Sequence, residues 1–418
     1  MNTPLPIVYI HHERALGGAP LSLLYLLRQI DRQKYSPHII CLRDGPAADL
    51  FRKENLHVQI ISGPDLSHTE LVWFRWWQFP RLLWRIFQSI PLFFKLRWAL
   101  KKFHRQPQLL VHLNSSTLLV GALAAKSLSI PVIWHIREPL AHGYLGFRRA
   151  ILRWTIHHLT HWIIAISQND ATQLACYKNK PSSKLTVIYN FIDFDQFSIH
   201  HPQGEFRKKA QIPDHAPIIL FLGGSARVKG AGVLLQAVPF MLGSLRSAHL
   251  VIAGEISYEF QLQATESQIS AFRSRIHLIG PHENVPALLA DASLLVFPSI
   301  VPHFARPVIE AAAMGKPVVA SDLDGVRELV VRNETGILIP PNHSQALAHA
   351  VIELIQDTPR AYRLGQQGYA QAREKFDARH NAAATFAIYQ QILKPFLDLP
   401  TPGRVDPPGQ IHPKNART

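Results

Sequence analysis

Short apolar runs alternate with longer amphipathic stretches along most of the chain. IVYI (7–10), HIICL (38–42), LLVHLN (109–114), PVIWHI (131–136), WIIAIS (162–167) and LTVIYN (185–190) are rich in Val, Ile and Leu and lack strict apolar–polar alternation. Strands of a parallel sheet covered on both faces have this composition. Between them, PLSLLYLLRQI (20–30) and TLLVGALAAKSL (117–128) read as helices. The segment 192–213 keeps no period and is rich in turn formers, which predicts a lobe boundary. The pattern then restarts with IILFLGG (218–224), HLVIAGE (249–255), IHLIG (276–280), SLLVFPS (293–299), KPVVAS (316–321) and TGILIPP (335–341). Helices are expected near 230–243, 283–292, 307–315, 343–357 and 359–394. Two successive strand–helix series predict an α/β fold of two doubly wound lobes facing across a cleft. The first lobe is expected over 1–195 and the second over 212–375, with a terminal helix over 376–396 and a disordered Pro-rich tail over 397–418.

A length of 418 residues, 47% of them hydrophobic, suits two cores of this kind. Cys41 and Cys176 are too few for a disulfide framework and read as reduced thiols of a cytoplasmic protein. The first residues lack the basic start and long apolar core of a secretory signal, and no apolar run reaches the roughly 18 residues of a membrane span. Charge changes the picture more: the formal net charge is +15, which calls for an anionic partner. Segment 71–105 holds five of the eight Trp and eight Lys or Arg, and no acidic residue occurs from Leu71 to Arg137. A basic, Trp-rich amphipathic segment suits the interface of an anionic bilayer. A second such piece spans 143–162. Helices packed on a sheet would explain the aromatics but not the missing acids. Nucleic acid is disfavoured, because the aromatics come with large aliphatics on helices rather than with Arg on a recognisable RNA-binding module. The expected place is therefore the cytoplasm, on the inner face of the membrane.

Candidate chemistry lies in loops at the carboxyl ends of the predicted strands, where open parallel sheets bind ligands. Gly17 and Gly18 follow the first strand and allow a phosphate or an acceptor to approach the backbone, although a Gly pair also makes a plain tight turn. They are not part of a G-x-G-x-x-G fingerprint, which argues against a dehydrogenase. His135, Arg137 and Glu138 leave a buried strand together, and His135 suits proton transfer or donation to substrate. In FLGGSARVKGAGV, Gly223 and Gly224 keep the loop compact while Lys229 and Arg227 suit a diphosphate. In PSIVPHFARPVIEAAAMGKPVVAS, a helix starting at Arg306 or Pro307 turns its free amides and positive end to the cleft, and Glu310 one turn in can accept from two ribose hydroxyls. The His pairs 11–12, 157–158 and 200–201 lack a metal-ligand array, so neither a metal site nor a cofactor is expected.

At these residues the sequence resembles glycosyltransferase family 4, whose members are retaining and have the GT-B fold of two Rossmann-like domains. The likeness runs from about Ile7 to Ile392 through the Gly-Gly loop, IIAIS, VIYNFID, LGG…KG, IHLIGPHENVPALLADASLLVFPS and EAAAMGKPVVAS…GVRELV…TGILIPP. It implies a nucleotide-diphosphate sugar as donor, without a metal, and a glycan or lipid-linked acceptor. Lys229 would neutralise the diphosphate, and Glu310, the second Glu of a Glu-x7-Glu motif, would bind ribose. Amides from Ala305 to Val308, just after Phe304, would hold phosphate, and His135 would lie by the transferred sugar. The terminal helix would cross back onto the first lobe. Three positions depart from the pattern: the first Glu falls on Pro302, the Gly after Phe304 is Ala305, and the Arg usually paired with the loop Lys falls on Gly224, with Arg227 nearby. Loss of the first Glu leaves a degenerate protein that binds a sugar nucleotide or glycan without efficient turnover as the alternative. A sugar-nucleotide epimerase or a phosphorylase lacks its characteristic site here.

Overall fold

The computed structural model describes residues 4–64, 76–103, 109–140, 142–177, 180–265, 267–282 and 284–397. The expected tail after Leu397 and both ends of segment 71–105 lie outside them.

Two parallel sheets form, each built on a central first strand. In the first lobe the spatial order is His57–Ile60, Tyr35–Cys41, Leu5–His11, Leu110–Leu113, Val132–Ile136, Trp162–Ala165 and Leu185–Val187. In the second it is Ile276–Ile279, His249–Ala253, Ile218–Phe221, Leu294–Phe297, Val318–Ser321 and Gly336–Ile339. Winding reverses between Leu5–His11 and Leu110–Leu113 in one lobe, and between Ile218–Phe221 and Leu294–Phe297 in the other. A crevice opens at such a switch point beyond the strand ends. The loops that the sequence singled out follow these strands or their neighbours.

Strand His57–Ile60 escapes the pattern. It sits at the sheet edge, HVQI is half polar, and none of its residues is fully buried, so only pairing with Tyr35–Cys41 marks it as a strand. The helix expected over 359–394 is two helices, Thr358–Lys375 and Ala378–Leu397. The break is tertiary: Ile192 donates to the Phe376 carbonyl at 2.8 Å and its own carbonyl accepts from Ala378 N at 3.0 Å, so the lobe linker takes over backbone groups that a continuous helix would use. Beyond the break, Ala378–Leu397 lies against the first sheet. Tyr389 is fully buried with its ring edge-on to Tyr35 at 6.0 Å, and Phe386 stacks on Tyr35.

The basic aromatic segment forms helix Phe79–Phe103. Leu92, Leu96, Ala99 and Leu100, at i, i+4, i+7 and i+8, face inward onto helix Leu119–Lys126. The opposite face is large and apolar yet open: Trp84 is 59% exposed, Phe87 61%, Phe94 62% and Trp98 61%. Helix Phe147–Leu159, on the other side of Leu119–Lys126, adds exposed Ile151 and Trp154. No helix among the described residues is long and apolar enough to cross a membrane.

Candidate active site

In the second lobe, Lys229 sits in the turn Arg227–Lys229 ahead of helix Ala231–Ser244. Gly224 and Gly230 make that turn possible. Gly224 has φ +56° and a Cβ there would fall 2.4 Å from the Glu255 carbonyl; Gly230 has φ +86° and would strike the Pro298 carbonyl. The backbone thus explains why no Arg stands at 224. The turn is pinned from the neighbouring loop: Ser299 Oγ donates to the Val228 carbonyl at 3.0 Å, and Ile300 N does so at 3.1 Å. Pro302 lies on this bracing loop, and His303 beside it donates from Nδ1 to the Val301 carbonyl at 3.0 Å. Burial holds His303 down at about 4, with the Lys229 charge in support. Burial also lowers the Lys229 ammonium, against the pull of Glu310, Glu13 and Glu255. Arg227 points outward, exposed, with no ion pair or hydrogen bond among the described residues, so the structure does not gather it with Lys229.

Helix Arg306–Ala313 begins without a side-chain cap; Pro307 brings no N–H and Val308 N donates to the Ala305 carbonyl at 3.1 Å, which leaves the amides of Ala305 and Arg306 at its open end. Phe304, Ala305 and Val308 are buried around that end, and Pro307 occupies its first turn. Glu310 is buried, which raises its carboxyl, while Arg306 one turn back holds it from further rise. Arg306 Nε lies 2.8 Å from Glu310 Oε1, both side chains being only 8% exposed. The Arg306 side chain then crosses between the lobes. Its Nη1 donates to Ser22 Oγ at 3.0 Å and its guanidinium lies 4.7 Å from the centre of the Tyr25 ring. The sequence pointed to Arg306 for its backbone; its side chain, Ser22 and Tyr25 were missed. A second bridge joins Glu328 to the amides of Gln168 and Asn169 at 2.7 and 2.8 Å.

Facing this, the first lobe presents a row of buried polar side chains. Residues two apart on a strand share a face, so His112 and Asn114 align with His135 and Arg137 on the side toward the terminal helix. Tyr389 Oη is 2.6 Å from His112 Nδ1, and His112 Nε2 is 3.2 Å from His135 Nδ1. Burial first, then the charge of Arg137, push both imidazoles well below their usual range, so they are neutral near pH 7. His135 Nε2 is buried without a hydrogen-bond partner. Arg137 Nε donates to Asn114 Oδ1 at 2.9 Å and its Nη1 to Asn190 Oδ1 at 2.6 Å. Asn114 Nδ2 donates in turn to the Ala19 carbonyl at 3.1 Å, tying the row to the Gly17–Gly18 turn. Gly18 opens helix Gly18–Arg28 and faces Arg306. Glu138 departs from expectation. Its Oε1 accepts from Ser115 Oγ, Ser116 N and Ser116 Oγ at 2.6–2.7 Å, so the carboxylate braces the loop after strand Leu110–Leu113 instead of facing the cleft. His112 and Asn114 could have been read from strand parity; Asn190 and Tyr389 come from distant chain and carried no local signal.

Two family models divide the chain between them: Glycosyltransferase Family 4 over residues 16–196 and Glycosyl transferases group 1 over residues 202–371. The chain belongs to the family 4 glycosyltransferases. This transferase is 23% identical to the capsular polysaccharide biosynthesis glycosyltransferase CapM of Staphylococcus aureus, over 83% of this chain and 93% of CapM. It is 27% identical to an uncharacterized glycosyltransferase of Methanocaldococcus jannaschii, a match spanning 54% of this chain and only 59% of that protein. Among solved structures, Anabaena HepE in complex with UDP and glucose superposes with a TM-score of 0.74 at 22% identity, covering 94% of this chain and all of HepE. A glycosyltransferase from Rickettsia africae gives 0.74 at 20% identity, covering 94% of this chain and all of that one. The fold of this glycosyltransferase is GT-B. Among the described residues no group of His, Cys, Asp or Glu is arranged to hold a metal ion.

Proposed function

We propose that this glycosyltransferase moves a sugar, with retention, from a nucleotide-diphosphate sugar to a glycan or lipid-linked acceptor at an anionic membrane surface. The observation that carries the donor half is the placement of Lys229, Glu310 and the uncapped helix end at one switch point, opposite Gly17 and Gly18. Lys229 and the amides of Ala305 and Arg306 at the helix start stabilise charge that grows on the diphosphate as the C1–oxygen bond breaks, and no metal is needed for this. Glu310 accepts from the ribose hydroxyls once donor displaces Arg306. The acceptor hydroxyl oxygen bonds to C1 and gives its proton to the departing diphosphate, while His135 Nε2, the unpartnered ring nitrogen, contacts the transferred sugar. Structures of HepE with UDP and with UDP-glucose support this class of donor. The capsular and lipopolysaccharide enzymes among the relatives support an envelope-glycan acceptor.

The open aromatic face of Phe79–Phe103 supports docking to lipid. Its rings would sit at headgroup depth, with Arg81, Lys95, Lys101 and Lys102 against anionic lipid on the cytoplasmic leaflet. Catalytic degeneracy is the second reading, favoured by Pro302 and by the pairing of Glu310 with Arg306. Labelled nucleotide sugars, screened for thermal stabilisation and then for product with chelator present, test both. Stabilisation with metal-free turnover is expected. Activity restored only by a divalent ion refutes the electrostatic scheme, and binding without product establishes degeneracy.

A further inference from the structure

Arg137 has a role left over after the donor is seated. It is 8% exposed, and its two bonded nitrogens rest on the neutral amide oxygens of Asn114 and Asn190. No carboxylate pairs with it among the described residues, and Nη2 is buried with no hydrogen bond. A buried guanidinium is ordinarily matched by an anion, because neutral acceptors do not repay its lost hydration. Burial pulls Arg137 down to about 9; Tyr389 and the more distant carboxylate of Glu138 pull it up, while the nearby charge of Arg306 lowers it further. The nearest carboxylate in sequence, Glu138, is committed to Ser115 and Ser116. The two Asn side chains hold the guanidinium plane fixed, so Nη2 is a preset donor at the carboxyl end of strand Val132–Ile136, beside the unpartnered His135 Nε2.

We propose that Arg137 is the receptor for an oxyanion carried by the acceptor, a phosphate or carboxylate near the hydroxyl that receives the sugar. This rests on the donor diphosphate being held by Lys229 in the opposite lobe, which leaves the first-lobe cation for the other substrate. An oxyanion on Nη2 completes the charge, and only an acceptor that brings one is seated with the sugar in reach.

The test is the melting temperature of the full-length chain against inorganic phosphate, and in parallel acetate, at ionic strength held constant with chloride. Wild type, Arg137→Met, Arg137→Lys and Lys229→Met are compared, each with and without saturating UDP. In wild type held with UDP, one of the two anions is expected to raise the melting temperature saturably, which also names the oxyanion. Arg137→Met loses that response, keeps the UDP shift, and melts above wild type when no anion is present, because an unmatched buried charge has gone. Arg137→Lys keeps a weaker response. An anion response unchanged in Arg137→Met, or absent from wild type, overturns the proposal. Loss of the UDP shift in Arg137→Met but not in Lys229→Met overturns it too, by assigning Arg137 to the donor. A UDP shift indifferent to both substitutions, with the anion response still dependent on Arg137, sinks the donor assignment alone.

Discussion

The two walls of the cleft handle charge in opposite ways. On the second-lobe wall the buried charges lie near opposite ones: Glu310 has Arg306 at 2.8 Å, and Lys229 feels Glu310, Glu13 and Glu255. On the first-lobe wall the imidazoles of His112 and His135 are neutral and tilted to each other in a hydrogen-bonded row, and the guanidinium of Arg137 leans on amides. A wall whose charges are mutually satisfied is stable empty and must rearrange to take a ligand; a wall with an unmatched cation is completed by one. The outer surfaces differ in the same direction. The first lobe carries the open aromatic face of Phe79–Phe103, whereas among the described residues of the second lobe the exposed large apolar side chains, such as Phe240 and Tyr362, are scattered.

The largest break in this comparison is expected from Lys229→Ala. Removing the preorganised cation should lower kcat by about 10²–10³-fold, as loss of one stabilising donor does elsewhere, with folding stability unchanged or raised. Initial rates at saturating donor, alongside a melt, check it; an unaltered kcat would mean the second lobe does not hold the leaving group. Glu310→Gln probes the paired wall next. It should raise donor Kd roughly 10–100-fold through loss of charge-assisted bonds to ribose, measured by calorimetry with nucleoside diphosphate. It should also weaken the Arg306 bridge to Ser22, so greater opening of the lobes in small-angle scattering is expected.

Acid stability separates the walls further. His11, His112, His135 and His303 all have folded pKa values lowered by burial, the last to about 4, from an unfolded value near 6.5. The unfolded chain therefore binds protons first as pH falls. Stability is complete above about pH 6.5 and is lost on acidification below it, the His303 share by about pH 4, each group adding at most about 1.4 kcal/mol per pH unit. Urea unfolding at stepped pH should show that slope, and His303→Asn should flatten it by one proton while the first-lobe share remains. The smallest effect concerns the outer face. Trp84→Ala combined with Phe87→Ala should reduce sedimentation with anionic vesicles by about 1.5–3 kcal/mol per ring, leaving melting temperature within a degree or so of wild type, since neither ring is in the core. A large loss of stability instead would place those rings in an internal interface.

Both sheets were legible in the chain because parallel strands buried on two faces are written as unbroken Val-Ile-Leu runs, and because glycines at 224 and 230 mark a backbone that tolerates no side chain. The positions of Lys229, Glu310, His135 and Arg137 followed, since His135 and Arg137 flank the end of strand Val132–Ile136, Lys229 lies in the turn that follows Ile218–Phe221, and Glu310 lies one turn into the helix that follows Leu294–Phe297. What the chain alone could not decide was which neighbour each polar group would meet. Glu138 turns to Ser115 and Ser116, Arg306 reaches Ser22 and Tyr25 nearly three hundred residues away in sequence, and Tyr389 on the last helix closes the row to His135. Periodicity and glycine placement are local properties of the backbone, and sequence records them directly. Charge compensation in a buried cleft depends on which distant elements the two lobes bring together, and only the packed structure settles that.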